Sequence, residues 1–136
     1  MISFKIPFRL PSLNEYIDKC RGNRYGGAGF KKAVENDIML ILSTRRFLIC
    51  SPVHMTFVWH EPNKRRDKDN VAFAKKFILD ALQKSGRLKN DNNNFIAGFR
   101  DEFVYDGDEG LEDVSAQNVR GTKGRYDTLV HCDGMS

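Results

Sequence analysis

The chain has 136 residues, a length typical of one domain with its own hydrophobic core. Hydrophobic residues make up 40% and charged residues 29%, which excludes a collagen-like or wholly disordered chain. No run of about 18 apolar residues is present and the N-terminal segment lacks the apolar core of a secretory signal, so we expect no membrane partner. The three cysteines form no Cys-x-x-Cys pair, so no zinc knuckle is indicated and the reducing cytoplasm is the simplest expected compartment.

Charge is divided unevenly along the chain. Residues 1–100 hold 19 basic and 9 acidic residues, a balance of +10, whereas residues 101–136 hold 3 basic and 9 acidic residues, a balance of −6. A basic body indicates a polyanion such as nucleic acid as partner, and the alternative is that the basic charge serves solubility alone. We expect one domain over residues 1–106, followed by an acidic tail over 107–136 that is partly ordered at most.

Strands and helices alternate in the predicted order. A strand is expected at Ser3–Arg9, and Pro7 favours an edge position for it. The other predicted elements are, in chain order, a glycine-rich loop over Arg21–Gly29, a helix over Phe30–Leu42, a strand over Val53–Trp59, a helix over Asp67–Ser85 closed by Gly86, a strand over Phe95–Tyr105 bulged at Gly98, and an optional short strand over Thr128–His131. This order predicts a small α/β (α+β) domain in which two helices pack on a mixed β-sheet.

Two carboxylates lie inside a basic run where the second helix begins. Residues 64–70 read Lys-Arg-Arg-Asp-Lys-Asp-Asn. One interpretation is structural, with Asp67 as the N-cap and Asp69 compensating the helix dipole. The other is a metal site, because carboxylate oxygens suit Mg²⁺ or Mn²⁺ and Asp91 follows in a loop after the helix. Carboxylates gathered beside a phosphate are the usual apparatus of metal-assisted phosphodiester hydrolysis.

A helical wheel places a cation near these carboxylates. At about 100° per residue, Lys76 and Asp80 share the face of Asp69, opposite the apolar stripe. The alternative interpretation is an i, i+4 ion pair between Lys76 and Asp80 on a solvated face. Phe73 intrudes on this polar face, which suggests a partner interface or a surface for stacking on a base. Lys75 points elsewhere on the wheel.

The predicted loop Gly22–Gly29 precedes a helix and is rich in glycine. It lacks the spacing of a P-loop or of a dinucleotide-binding turn. A flexible linker is one interpretation. The other is a contact to the DNA backbone that uses Arg21 and Arg24.

Three stretches of this sequence are similar to the RusA family of Holliday junction resolvases, which occur in bacteria and their phages. They are Pro-Ser-Leu-Asn-Glu-Tyr at residues 11–16, Arg-Arg-Asp-Lys-Asp-Asn at residues 65–70 with Lys76 and Leu-Asp-Ala-Leu at residues 79–82, and the segment from Gly86 through Leu88 to Asp91. The resemblance covers residues 3–105. One departure is that the family's lysine stands four residues after the second aspartate, where this chain has Phe73. Alignment backwards from residues 80–82 lands on Lys76, with a three-residue insertion.

The resemblance implies a homodimeric, Mg²⁺-dependent endonuclease of DNA recombination and repair that cuts four-way junctions by paired symmetric nicks. The family's catalytic aspartates map onto Asp67, Asp69 and Asp91, which would hold the metal, and its catalytic lysine maps onto Lys76. The basic residues expected to bind DNA are Lys64, Arg65, Arg66, Lys68, Arg21 and Arg24. The alternatives are a non-catalytic nucleic-acid-binding protein with the same basic surface, and a metal-dependent nuclease that acts on flaps or replication forks.

Overall fold

A computed structural model describes residues 2–22, 26–89, 95–105 and 112–118. The elements in these ranges are, in chain order, β1 (Ile2–Ile6), α1 (Leu13–Gly22), α2 (Gly26–Leu42), β2 (Val53–His60), α3 (Lys68–Ala72), α4 (Lys75–Lys84), β3 (Ile96–Val104) and β4 (Glu112–Asn118). No helix among these elements is long and apolar enough to cross a bilayer.

The four strands form one mixed sheet in the order β1-β4-β2-β3. Strand β4 runs antiparallel to both of its neighbours, and β2 and β3 run parallel. The expected α+β class, the mixed sheet and the edge position of the first strand are confirmed. The irregularity expected near Gly98 is also present, because the β2–β3 register shifts between Val53 and His54, opposite Ile96 and Gly98.

One face of the sheet carries the hydrophobic core. The side chains of β1 alternate between buried and exposed, and those of β2 alternate between buried and more open positions, as expected for strands with one covered face. Buried residues of α2 and α4 belong to the same core cluster as the inward residues of the sheet, and the two helices contact one another. The largest fully buried side chains are Trp59, Phe47, Phe57, Phe77, Ile6, Leu10, Ile38, Leu42, Ile49, Met55, Ile78 and Leu82.

The predicted glycine-rich loop over Arg21–Gly29 is wrong at both ends. Helix α1 continues through Gly22 and helix α2 already begins at Gly26, while residues 23–25, which include Arg24, lie outside the described residues. Gly27 serves close packing, because a Cβ atom added there would collide with Cys20 Sγ of α1. Helix α1 was not predicted because none of its residues is fully buried, so it has no continuous apolar stripe.

The single helix predicted over Asp67–Ser85 is interrupted at Phe73 and Ala74, between α3 and α4. Three backbone hydrogen bonds there span three residues: the N–H of Ala74 donates to Val71 O at 3.2 Å, that of Lys76 to Phe73 O at 3.1 Å, and that of Phe77 to Ala74 O at 3.0 Å. This tighter turn breaks the continuous 100° progression that the wheel assumed. The predicted end is confirmed, since Gly86 follows α4 with φ +79°.

Strand β4 comes from the segment expected to be an acidic tail. It lies between β1 and β2, where Val114 and Ala116 are buried on the core face. The four-stranded sheet therefore includes residues beyond position 106. The optional strand over Thr128–His131 lies outside the described residues.

Candidate metal and nucleic-acid site

The two best-defined motifs of the sequence meet in space. The backbone N–H of Asn14 donates a hydrogen bond of 2.9 Å to Asn70 Oδ1, although 56 residues separate them. The ring of Tyr16 packs against that of Phe73, with ring centroids 5.6 Å apart. Residues 11–16 and 65–70 thus form one corner of the molecule, where α1 contacts α3.

Arg66 ties this corner together. Its Nε and Nη2 atoms donate to the two carboxylate oxygens of Glu61 at 2.6 and 2.7 Å, and its Nη1 donates to Glu15 Oε1 at 3.0 Å. Glu61 is only 2% exposed, so this bidentate pair is shielded from solvent. Arg66, which is predicted to bind DNA, contacts two carboxylates in the folded chain. The sequence did not predict either partner, and the contact with Glu15 joins residues 51 positions apart, where no local pattern links them.

Glu15 joins Arg66 to a second arginine. Arg9 donates to both of its carboxylate oxygens, at 3.0 and 2.6 Å. The Arg9 guanidinium lowers the pKa of Glu15 to about 2; partial burial opposes this shift, and the backbone N–H of Ser12 reinforces it. The corner is therefore held by a chain of charge-assisted hydrogen bonds running from Arg9 through Glu15 to Arg66 and Glu61.

Asp67 and Asp69 lie at the start of α3, next to this network. Asp67 is the N-cap, as predicted, with extended backbone at φ −66° and ψ 149°, but its side chain makes no capping hydrogen bond. Asp69 Oδ1 accepts a hydrogen bond of 3.0 Å from the backbone N–H of Asn70. Both side chains are exposed. The capping interpretation thus accounts for the position of Asp67, although its carboxylate makes no capping hydrogen bond.

The third predicted metal ligand, Asp91, lies outside the described residues. Within the described ranges, no group of three or more histidine, cysteine, aspartate or glutamate side chains is gathered as a metal site requires. Two exposed carboxylates two residues apart still fit Mg²⁺, which is commonly bound through one or two carboxylates together with waters and substrate phosphates.

The cations of the basic segment, residues 64–68, extend along β3. The Lys64 ammonium lies 5.4 Å from the ring centroid of Tyr105, and that of Lys68 lies 5.5 Å from the ring centroid of Phe103. Arg65 is exposed, and its backbone N–H donates to Asn63 Oδ1 at 2.9 Å. Both lysines thus contact ring faces in a cation–π arrangement, and both side chains are exposed to an approaching anion.

Lys76 and Lys75 diverge from one another. Lys76 pairs with Asp80 at 3.4 Å, which confirms the i, i+4 ion pair given as the alternative to a catalytic role. Lys75 donates to Asp101 Oδ2 at 2.8 Å and lies 4.6 Å from the ring centroid of Phe99. Lys75 is therefore directed towards β3, the strand that Lys68 also contacts.

Asp80 also binds Lys31 of α2 at 2.9 Å. Burial opposes its ionisation, but the ion pair with Lys31 holds the pKa of Asp80 below its ordinary value, and the same pair raises the pKa of Lys31. The face shared by Lys76 and Asp80 is thus part of the contact between α2 and α4.

Phe73 does not project as the wheel predicted. Its ring contacts that of Phe77 with centroids 5.6 Å apart, in addition to that of Tyr16, and it packs against the core. The break between α3 and α4 accounts for this difference, and the ring of Phe73 is partly buried. Of the arginines assigned to the glycine-rich loop, Arg21 is exposed at the end of α1 and Arg24 lies outside the described residues.

Compared with known protein families, the chain matches no family model, and no curated protein is significantly similar to it. The resemblance to RusA therefore rests on the quoted motifs, and the described geometry adds that two of them, at residues 11–16 and 65–70, are in contact.

Proposed function

We propose that this protein is a Mg²⁺-dependent endonuclease that cuts branched DNA, with four-way junctions as its substrate. The observation that carries the proposal is the state of Asp67 and Asp69. Both are exposed at one helix end, and among the described residues neither forms an ion pair, although Lys64, Arg65 and Lys68 lie in the same segment. Carboxylates left unpaired among cations are available to a divalent metal.

Arg66 is the residue that positions this pair. Its bidentate contact with buried Glu61 fixes the backbone immediately before Asp67, and its contact with Glu15 fixes the corner against α1. A metal site gains affinity when its ligands are held in place before the metal arrives. Asp67 and Asp69, with Asp91 as the expected third ligand, would hold Mg²⁺, which when bound supplies Lewis-acid stabilisation of charge on the scissile phosphate.

The basic segment supplies the contacts to DNA in this proposal. Lys64 and Lys68 rest on aromatic rings and Arg65 is exposed, so their charges face solvent beside the two aspartates. Neutralising phosphates with these cations releases counterions, so DNA binding should weaken as salt concentration rises. Lys76, the lysine implied by the resemblance, would stabilise charge on the leaving oxygen. A homodimer would bring two sites to a two-fold-symmetric junction and give paired nicks.

Cleavage assays on synthetic DNA test the proposal. Four-way, flap and plain duplex substrates are compared with and without Mg²⁺. We expect junction cleavage that requires Mg²⁺, and at least about 100-fold slower cleavage in Asp67→Asn and Asp69→Asn with junction binding retained. Asp37→Asn, an exposed aspartate of α2, is the matched control. Cleavage by Asp67→Asn at the wild-type rate contradicts the proposed chemistry, and faster cleavage of flaps than of junctions contradicts the proposed substrate.

A pair of lysine variants tests the assignment of the catalytic cation. Lys76→Gln should slow cleavage more than Lys75→Gln if the resemblance assigns the role correctly. The reverse order would transfer the role to Lys75, whose side chain lies against β3 beside Asp101.

The second candidate function is a nucleic-acid-binding protein without catalysis. The cation–aromatic contacts of Lys64 and Lys68 favour it, because they need no metal. It predicts DNA binding that is independent of Mg²⁺ and unaffected by Asp67→Asn, together with no cleavage under any metal condition.

A further inference from the structure

Strand β3 has an open edge. Within the part of the chain that the structure describes, β3 pairs with β2 on one side and with no strand on the other. It is nine residues long, and Phe99 and Arg100 near its middle are 47% and 73% exposed. A long edge strand presents unpaired N–H and C=O groups to any strand that fits it.

The alternation of backbone directions along β3 shows which residues point their N–H and C=O groups towards this open edge. The backbone N–H of Glu61 donates to Val104 O at 2.9 Å, so the backbone groups of Val104 point towards β2. Successive residues of a strand direct their backbone groups to opposite sides. Phe99, Asp101 and Phe103 therefore direct their N–H and C=O groups outwards.

The sequence of this edge is complementary to itself. Residues 99–103 read Phe-Arg-Asp-Glu-Phe. When two copies run antiparallel about a two-fold axis at Asp101, Phe99 lies opposite Phe103, and Arg100 lies opposite Glu102. We propose that a second copy of this chain docks along β3 in this register and joins the two sheets into one of eight strands.

The backbone pattern and the side-chain pattern agree on this register. Phe99, Asp101 and Phe103, whose backbone N–H and C=O groups point towards the open edge, form the hydrogen-bonded pairs of the antiparallel ladder. Arg100 and Glu102 then occupy the non-hydrogen-bonded positions, where opposite Cα atoms approach to about 4.5 Å and side chains interact more closely. Two Arg–Glu pairs and two aromatic pairs result, related by the two-fold axis.

Charge disfavours the competing registers. A parallel in-register pairing sets Arg100 opposite Arg100 and Glu102 opposite Glu102. Antiparallel pairings centred on Arg100 or on Glu102 again oppose like charges at the centre, and a slip by one residue exchanges the two faces of the sheet. In the pairing centred on Asp101, Arg100 and Glu102 both lie opposite a residue of opposite charge, and the like-charged pair at the centre is Asp101 with its own copy.

The two Asp101 side chains at the axis are already compensated within their own chains. Each accepts a hydrogen bond from Lys75 at 2.8 Å and one from the Trp59 indole at 2.9 Å. These donors lower the cost of placing two carboxylates near one another.

The two-fold axis is perpendicular to the joined sheet, so both helical layers lie on the same face. Lys68 of α3 lies over Phe103 of β3, which places the starts of the two α3 helices on either side of the axis. The interface is inferred from β3 alone and holds whether or not the proposed nuclease activity is correct.

Charge reversal provides the test, with sedimentation equilibrium as the measurement. Wild type should be dimeric. Arg100→Glu places acidic residues at both positions 100 and 102, and Glu102→Arg places basic residues at both, so each single variant should be monomeric at concentrations where wild type is dimeric. An equimolar mixture of the two should form heterodimers, because every cross-strand pair then joins opposite charges, and the double variant Arg100→Glu/Glu102→Arg should again form homodimers. Lys32→Glu, an exposed charge reversal on α2, should remain dimeric.

Restored dimers in the mixture separate the interface from a folding defect, because neither single variant regains its own Arg100–Glu102 contact, 3.0 Å in the native chain, by mixing. A monomeric wild type, or an Arg100→Glu variant that dimerises as tightly as wild type, overturns the inference. A monomer that still cuts junctions would overturn this interface and leave the proposed activity standing. A dimer that responds to the charge variants as expected but does not cut DNA would support this interface and contradict the proposed activity.

Discussion

Carboxylates in the contact between α2 and α4 are ion-paired, whereas those at the start of α3 are not. In the α2–α4 contact, Glu35 is 1% exposed and bound by Lys84 and Lys31, and Asp80 is bound by Lys31 and Lys76. Both of these carboxylates have lysine partners, and the pairs Lys84–Glu35 and Lys31–Asp80 join the two helices. These acids serve the fold.

At the start of α3, cations are as near in sequence, but the aspartates do not use them. Lys64 and Lys68 turn to aromatic rings of and beside β3, and Arg66 turns to Glu61. Among the described residues, Asp67 and Asp69 have no ion-pair partner. We infer that, in a basic protein, a carboxylate without an ion-pair partner indicates function more strongly than a carboxylate that is ion-paired.

Removing the arginine at the corner should give the largest change in stability. Arg66→Met leaves the buried carboxylate of Glu61 without its bidentate partner, and an uncompensated buried charge costs about 3–5 kcal/mol. Urea unfolding measures this loss. Arg65→Met, an exposed neighbour, is the control and should change stability by less than about 0.5 kcal/mol. Equal effects from the two variants would show that the Arg66 network does not support the corner.

Acid should weaken the corner through Glu15. The pKa of this carboxyl is lowered in the folded protein from 4.5 to about 2, so its contribution is complete above about pH 4.5 and is lost as the pH falls towards 2. Its side chain is 40% exposed, and solvent screening reduces the contribution at neutral pH to about 1–2 kcal/mol. Glu15→Gln should lower the free energy of unfolding by this amount at neutral pH and by much less near pH 2. A difference that stays constant across this range would contradict the assignment.

Breaking an ion pair of the α2–α4 contact should have a smaller effect. Asp80→Asn removes the charge that Lys31 and Lys76 bind, and a partly exposed pair of this kind contributes about 1 kcal/mol. Because the pKa of Asp80 is also lowered by folding, the difference from wild type should shrink in acid. Urea unfolding at neutral and acid pH measures both results. A loss as large as that of Arg66→Met would remove the contrast between the two regions.

Strands β1 and β2 and helix α2 were predictable because their side chains alternate or recur on one buried face. Strand β2, with Val53, Met55, Phe57 and Trp59 all inward, carries the clearest such signal. Strand β4 has only two small inward residues, Val114 and Ala116, among polar ones, and therefore resembled a solvated tail. Its place between two strands of the sheet depends on long-range pairing that no local pattern records.

The candidate site was predictable in composition but not in arrangement. Asp67 at the N-cap followed from the onset of helical periodicity at a polar residue. The break at Phe73 could not be foreseen, because the periodicity continues across it while Phe73 and Phe77 turn inward against Tyr16. The contact between Arg66 and Glu15 joins residues 51 positions apart along the chain, a separation that local patterns do not reach.

The smallest change in stability is expected where the functional consequence is largest. Asp67→Asn and Asp69→Asn each remove a favourable charge at a helix start, worth about 0.3–1 kcal/mol, and relieve repulsion between the two carboxylates, so the net change should stay within about 0.5 kcal/mol.

Mg²⁺ should nevertheless raise the melting temperature of wild type, because a ligand that binds the folded state stabilises it, and should not raise that of either variant. Thermal unfolding with and without Mg²⁺ measures this, with Asp37→Asn as a control that keeps the wild-type response. An equal Mg²⁺ response in wild type and Asp67→Asn would mean that the unpaired carboxylates of α3 do not bind the metal, and the contrast between the two regions would lose its functional meaning.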